Sequence, residues 1–140
     1  MFNDYESSGK HMICDFKGIQ NKKLLNSMPG LINLLKNICK KYEFTILNET
    51  AHQFEPIGCS ILFLLSESHI SIHTFPEKNH ISFDIYTCRQ YNNNNVYDEI
   101  FHYIAKSIQA SSISTYKIIE RYFWHLFINI YKSQKSKFIY

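Results

Sequence analysis

Between positions 68 and 88 the chain places Ser68, His69, His73, Asp84 and Cys88, which are a hydroxyl, two imidazoles, a carboxylate and a thiol. Together they offer a nucleophile, proton carriers that titrate near neutral pH, and a thiol able to give up a proton. Two familiar uses fit poorly. A Ser68, His73, Asp84 triad would make a hydrolase, but no Gly-x-Ser-x-Gly elbow surrounds the serine. His69 and His73 have the spacing of a helical zinc pair, yet on a strand that spacing spans about 13 Å, so no metal is expected.

The elements that must hold these residues follow from periodicity. Strands are read at His11 to Phe16, Glu43 to Asn48, Ser60 to Ser66, His69 to Phe75, Ile81 to Thr87 and Ser112 to Glu120. Leu24, Met28, Leu31, Leu35, Ile38 and Tyr42 share one helical face, with Asn26 or Ser27 as cap and Pro29 in the first turn. A second helix follows the Asn92 to Asn95 loop and presents Tyr97, Phe101, Ile104 and Ile108. This order predicts an α+β two-layer sandwich, an antiparallel sheet with both main helices on one face. Alternation puts His69, Ser71 and His73 on one face of their strand and Ser82, Asp84, Tyr86 and Cys88 on one face of the next. Two polar faces on consecutive strands can make one site, although a solvated outer face is the blander reading.

The 140 residues support one domain, and a net charge of +3 without a basic stripe argues against a nucleic-acid partner. Lys132, Lys135 and Lys137 read as a solvated tail. Cysteines at 14, 39, 59 and 88 lack Cys-x-x-Cys spacing, which predicts reduced thiols and a cytoplasmic setting; Cys14, Cys39 and Cys59 read as small buried apolar residues. The apolar run from Tyr122 to Tyr131 is too short to span a bilayer, so no membrane role is expected.

Three blocks carry more information than any single residue. They are Gly9-Lys10-His11, His52-Gln53-Phe54-Glu55-Pro56-Ile57-Gly58-Cys59-Ser60, and Glu67-Ser68-His69-Ile70-Ser71-Ile72-His73-Thr74-Phe75-Pro76-Glu77 with Thr87-Cys88 downstream. In this order they resemble the prokaryotic-type S-adenosylmethionine decarboxylase proenzymes, over roughly residues 9 to 121. The resemblance implies a pyruvoyl-dependent enzyme that cuts itself between Glu67 and Ser68, giving a 1–67 β chain and a 68–140 α chain. Ser68 would become the covalent pyruvoyl cofactor that holds substrate as a Schiff base.

The resemblance also assigns roles. His73 would move protons during processing, with Ser60 as a supporting hydrogen-bond donor, and Cys88 would be the proton donor in turnover. Phe54 and Phe75 would stack on adenine while Glu77 binds the ribose hydroxyls; the plainer reading is that both phenylalanines are core. The product would be the aminopropyl donor for spermidine synthesis, and the active species a homodimer of cleaved protomers. Residues 122–140 lie beyond the resemblance and read as an extension packed on the domain or the dimer, with Trp124 and Phe127 as its aromatic contacts.

The departures from the family pattern are specific. Phe75 stands where tryptophan is common, Arg89 and Ile61 where glycine is common, and Lys78-Asn79 replace Tyr-Gly. Phenylalanine can still stack, whereas Arg89 adds bulk and a permanent charge beside the thiol. Two other functions stay open on sequence grounds. One is a pyruvoyl-dependent ornithine or arginine decarboxylase on the same scaffold, and the other an inactive homologue that regulates a catalytic partner.

Overall fold

The computed structural model describes residues 6–123. In chain order the elements are strand β1 (Ser7–Phe16), one-turn helix α1 (Lys22–Leu25), helix α2 (Met28–Lys41), strands β2 (Ile46–Gln53), β3 (Cys59–Leu65), β4 (Ser68–Phe75) and β5 (His80–Thr87), helix α3 (Asn95–Ile108), and strand β6 (Thr115–Tyr122). The strands form one sheet in the order β2-β3-β4-β5-β1-β6, with every neighbouring pair antiparallel. This is the expected α+β sandwich.

Alternation gives the sheet two unlike faces. Met12, Cys14, Phe16, Ile61, Phe63, Ile70, Ile72, Ile81, Phe83 and Ile85 are buried, and the core they form includes Leu31, Leu35 and Ile38 of α2 and Tyr97, Ile104 and Ile108 of α3. Burial of this kind stabilises by about 25 cal/mol per Å² of apolar surface, which is why the α2 and α3 faces could be read from spacing. On the other face, strand register aligns Ser60, His73, Ser82 and Asp15 in one row and Leu64, His69, Tyr86, His11 and Ile119 in another. Ile13, Leu62, Leu64 and Ile119 stand exposed there.

Strand β1 starts at Ser7 rather than His11, and three further differences from the sequence reading have local reasons. Ser27, not Asn26, caps α2 by accepting from the Gly30 N–H at 3.2 Å, which leaves Pro29 in the first turn and Leu24 in the separate α1. Strand β2 starts at Ile46 rather than Glu43 and runs on to Gln53. Glu43 adopts φ +57°, and both backbone groups of Thr45 are used elsewhere: its N–H reaches the Glu67 carboxylate and its carbonyl accepts from Ser66. Strand β6 starts at Thr115 because Ser111 and Ser114 bind the backbone of Lys17.

Among the described residues no helix is long and apolar enough to cross a membrane. Trp124, Phe127 and most of the 122–140 extension lie outside the described residues.

Candidate active site

Ser66 and Glu67 alone connect β3 to β4, so Ser68 opens β4 at the tip of a tight hairpin, opposite Leu65 on one side and Thr87 on the other. Its φ is +135°, a region that side-chain-bearing residues avoid. Holding serine there costs about 1–3 kcal/mol and persists only when the surroundings dictate it. One of those surroundings is direct: the Glu67 carbonyl, which belongs to the peptide bond before Ser68, accepts a 2.9 Å hydrogen bond from the Cys88 N–H.

Gly9 explains how β1 can lie against the end of β5 that leads to Cys88. At φ +123°, a Cβ on residue 9 would fall 2.1 Å from the Thr87 carbonyl oxygen and 2.8 Å from the Cys88 Cα. Any side chain there would push that strand end away. Cys88 is exposed, unlike the other three cysteines. Burial pushes the Cys14 and Cys59 thiols up and takes Cys39 to about 11, so these three stay neutral apolar fillers.

A second group gathers at the far end of β4. His73 faces Ser60 across the β3–β4 ladder, and the Ser60 hydroxyl lies 2.7 Å from His73 Nδ1. Beside them is a cleft of about 320 Å³ lined by Phe54, Ile57, Gly58, His73, Phe75 and Glu77, among others. Phe54 and Phe75 are 47% and 41% exposed, which rules out the core reading; each meets one histidine ring, His52 at 4.7 Å and His80 at 5.9 Å, and keeps exposed ring surface for stacking. Glu77 sits in the 3₁₀ turn Pro76–Lys78 that follows β4.

The eight predicted residues therefore fall into two groups. Glu67, Ser68 and Cys88 meet at one end of β4; Ser60, His73, Phe54, Phe75 and Glu77 meet at the other. Five residue steps along the strand take Ser68 to His73, about 16 Å. The hydrolase triad is absent too, since His73 bonds Ser60 while Asp84 bonds His11, His69 and Ser71.

Sequence reasoning missed two features. The first is the His11, Asp84, His69 cluster, in which Asp84 Oδ2 lies 2.6 Å from His11 Nε2 and 3.1 Å from His69 Nε2. Burial raises the Asp84 carboxyl, but hydrogen bonds from Ser71, His11 and His69 outweigh it and hold the group below the usual carboxylate range. The three donor atoms lie within 4.8 Å of one another, close enough to share a cation, although they already satisfy each other. They come from three strands, so no spacing reveals them. The second is the set of contacts made by Arg89, described below.

The family model described as S-adenosylmethionine decarboxylase matches residues 10–121. A proenzyme of that name from Thermoplasma volcanium is 33% identical over 111 residues, 79% of this chain and 82% of the relative. S-adenosylmethionine decarboxylase proenzyme 2 of Bacillus cereus is 42% identical over 85 residues, 61% and 68% of the two chains. The crystal structure of the adenosylmethionine decarboxylase from Aquifex aeolicus superposes with a TM-score of 0.73 at 27% identity, covering 84% of this chain and 93% of that one.

Proposed function

The chain belongs to the S-adenosylmethionine decarboxylase family, and from that premise we propose that Ser68 is the residue through which it cuts and activates itself. The family settles the reaction as decarboxylation of S-adenosylmethionine for polyamine synthesis, rather than of ornithine or arginine. The observation that carries the site assignment is the strained Ser68 beside a carbonyl that already holds a backbone donor.

Cleavage begins when the Ser68 hydroxyl oxygen attacks the Glu67 carbonyl carbon. The Oγ–C bond forms, the C–N bond breaks, and the hydroxyl proton ends on the released Ser68 nitrogen. Attack places negative charge on the carbonyl oxygen, where the Cys88 N–H is already aimed; one such donor is worth about 10²–10³ in rate. The bond break also releases the φ strain at Ser68. Removal of the Ser68 Cα proton then expels Glu67 as the carboxyl end of residues 1–67. The dehydroalanine left on residue 68 hydrolyses to a pyruvoyl group and ammonia.

The hairpin end suits that group. It has an open approach at exposed Cys88, and the Gly9 contact keeps β1 and the end of β5 close. When present, the pyruvoyl carbonyl captures the substrate amine and withdraws electrons as carbon dioxide leaves. The protein's own share is to hold substrate and return a proton. Phe54 and Phe75 stack on adenine, Glu77 accepts from the ribose hydroxyls, and the Cys88 thiol protonates the carbon that has lost its carboxylate.

His73 supplies proton transfer in processing with Ser60 as its hydrogen-bonded support, and their distance from Ser68 has a consequence. A second protomer must bring its own His73 end against the hairpin end of the first. The exposed Ile13, Leu62, Leu64 and Ile119 give the open sheet face apolar surface for such a pairing. His73→Ala alone should slow cleavage by about 10²–10⁴. Mixing it with Ser68→Ala protomers should restore cleavage of the His73→Ala chain, since each mixed pair has one whole site. Gel time courses check this, and no recovery in mixed dimers would refute a shared site.

The substrate end is tested by release of carbon dioxide from S-adenosylmethionine, ornithine and arginine, using the native chain and Glu77→Gln. Only S-adenosylmethionine should react. Loss of a charged hydrogen bond, about 1.5–3 kcal/mol, should raise its KM at least tenfold in the variant. An unchanged KM would remove Glu77 from the ribose site.

A further inference from the structure

We propose that Arg89 is a positioning residue for self-cleavage, clamping Glu67 so that its carbonyl stays aimed between the Ser68 hydroxyl and the Cys88 N–H. The inference rests on the cleavage site proposed above. The side chain reaches across the hairpin tip to three acceptors: Nη2 donates to Glu67 Oε1 at 2.8 Å, Nη1 to the Tyr42 carbonyl at 2.6 Å, and Nη2 also to the Glu43 carbonyl. The guanidinium carbon lies 5.0 Å from the centre of the Phe44 ring. A planar five-donor fork suits this task, and a lysine ammonium cannot reproduce it.

Glu67 is held from every side. Its other carboxylate oxygen accepts from the Thr45 N–H at 3.0 Å, its neighbour Ser66 donates to the Thr45 carbonyl at 2.9 Å, and its own carbonyl accepts from Cys88. The side chain is almost fully buried. A charged, buried side chain one bond from the scissile carbonyl is an expensive arrangement unless paired, and Arg89 is the cation that pairs it. Arg89 also follows Cys88 directly, so one residue ties the donor of the oxyanion bond to the acceptor residue. The Arg89 N–H donates to Thr87 Oγ1 at 2.9 Å, which fixes the backbone on the other side of Cys88.

These contacts give the conditions under which a non-glycine φ of +135° persists: Ser68 cannot relax unless Glu67 moves, and Glu67 cannot move while the clamp holds. Residues 43–45, which sequence alone reads as strand, are irregular where they meet the clamp.

The test follows conversion of freshly translated chain into its two fragments, for the native protein, Arg89→Ala and Arg89→Lys. Both variants should cleave at the same bond but about ten- to a hundredfold more slowly, short of the full loss of an oxyanion donor. Added methylguanidinium should restore part of the rate to Arg89→Ala and none to Ser68→Ala, a recovery that mere loss of fold would not show. Melting of each change in the uncleavable Ser68→Ala background reports folding. If Arg89→Ala does not fold, Arg89→Lys decides. Native-rate cleavage in a folded variant would overturn the clamp and leave Ser68 untouched, whereas a native chain that never cuts at Glu67 would overturn the cleavage site and the clamp with it.

Discussion

Ser68→Ala is expected to leave a single uncut chain of 140 residues with no decarboxylase activity, a complete loss on both counts. No neighbour can substitute. Ser66 precedes the scissile bond, and the Ser71 hydroxyl is hydrogen bonded to Asp84 three residues further along β4. The fold itself should survive, since alanine keeps the hairpin and the Cys88 to Glu67 hydrogen bond depends only on backbone. A companion variant isolates the strain. Ser68→Gly should also stay uncut, yet melt at or above Ser68→Ala, because glycine accepts φ +135° without the penalty of a side chain. Intact mass and thermal melting check the pair, and a lower melting point for Ser68→Gly would argue against strain at this residue.

Cys88→Ala should separate two steps that share one residue. Its backbone N–H remains, so cleavage between Glu67 and Ser68 should proceed near the native rate. Its thiol is gone, so turnover of S-adenosylmethionine by the cleaved protein should fall by about 10²–10⁴, the usual worth of a positioned proton donor. Exposure of Cys88 lets substrate reach the thiol, while Cys14, Cys39 and Cys59 are buried and cannot replace it. Mass analysis for cleavage and carbon dioxide release for turnover, on the same sample, give the split. Equal loss in both would mean that the thiol acts in processing, and native turnover would remove Cys88 from catalysis.

The sequence was most legible where one face of an element is buried. The β3, β4 and β5 alternation and the α3 stripe place side chains by period, and burial enforces the period, so strand faces and helix faces came out as read. Turns were less legible. Residues 43–45 have strand composition but answer to Glu67 and Ser66, more than twenty positions away. Contacts across strands were invisible for the same reason: Arg89 meets the Tyr42 carbonyl and Asp84 meets His11 only because the fold brings them together. Motif resemblance nominated eight site residues, yet it could not show that one protomer keeps Ser68 and His73 at opposite ends of one strand.

The arrangement also explains why the site residues sit where they do. A hairpin with only two connecting residues gives the backbone little freedom, which suits the strained Ser68 that the proposed cleavage uses. On the proposed reading the substrate cleft at the other end takes its rings from Phe54, just after β2, and Phe75, the last residue of β4, and its carboxylate from Glu77 in the turn that follows.

The most direct measurement is intact-protein mass spectrometry of the native chain, followed over time from synthesis. The account predicts that the full-length species gives way to residues 1–67 and residues 68–140, the second lacking an amino terminus and carrying the mass of a pyruvoyl group in place of Ser68. A chain that stays whole, or one cut at another bond, would contradict it.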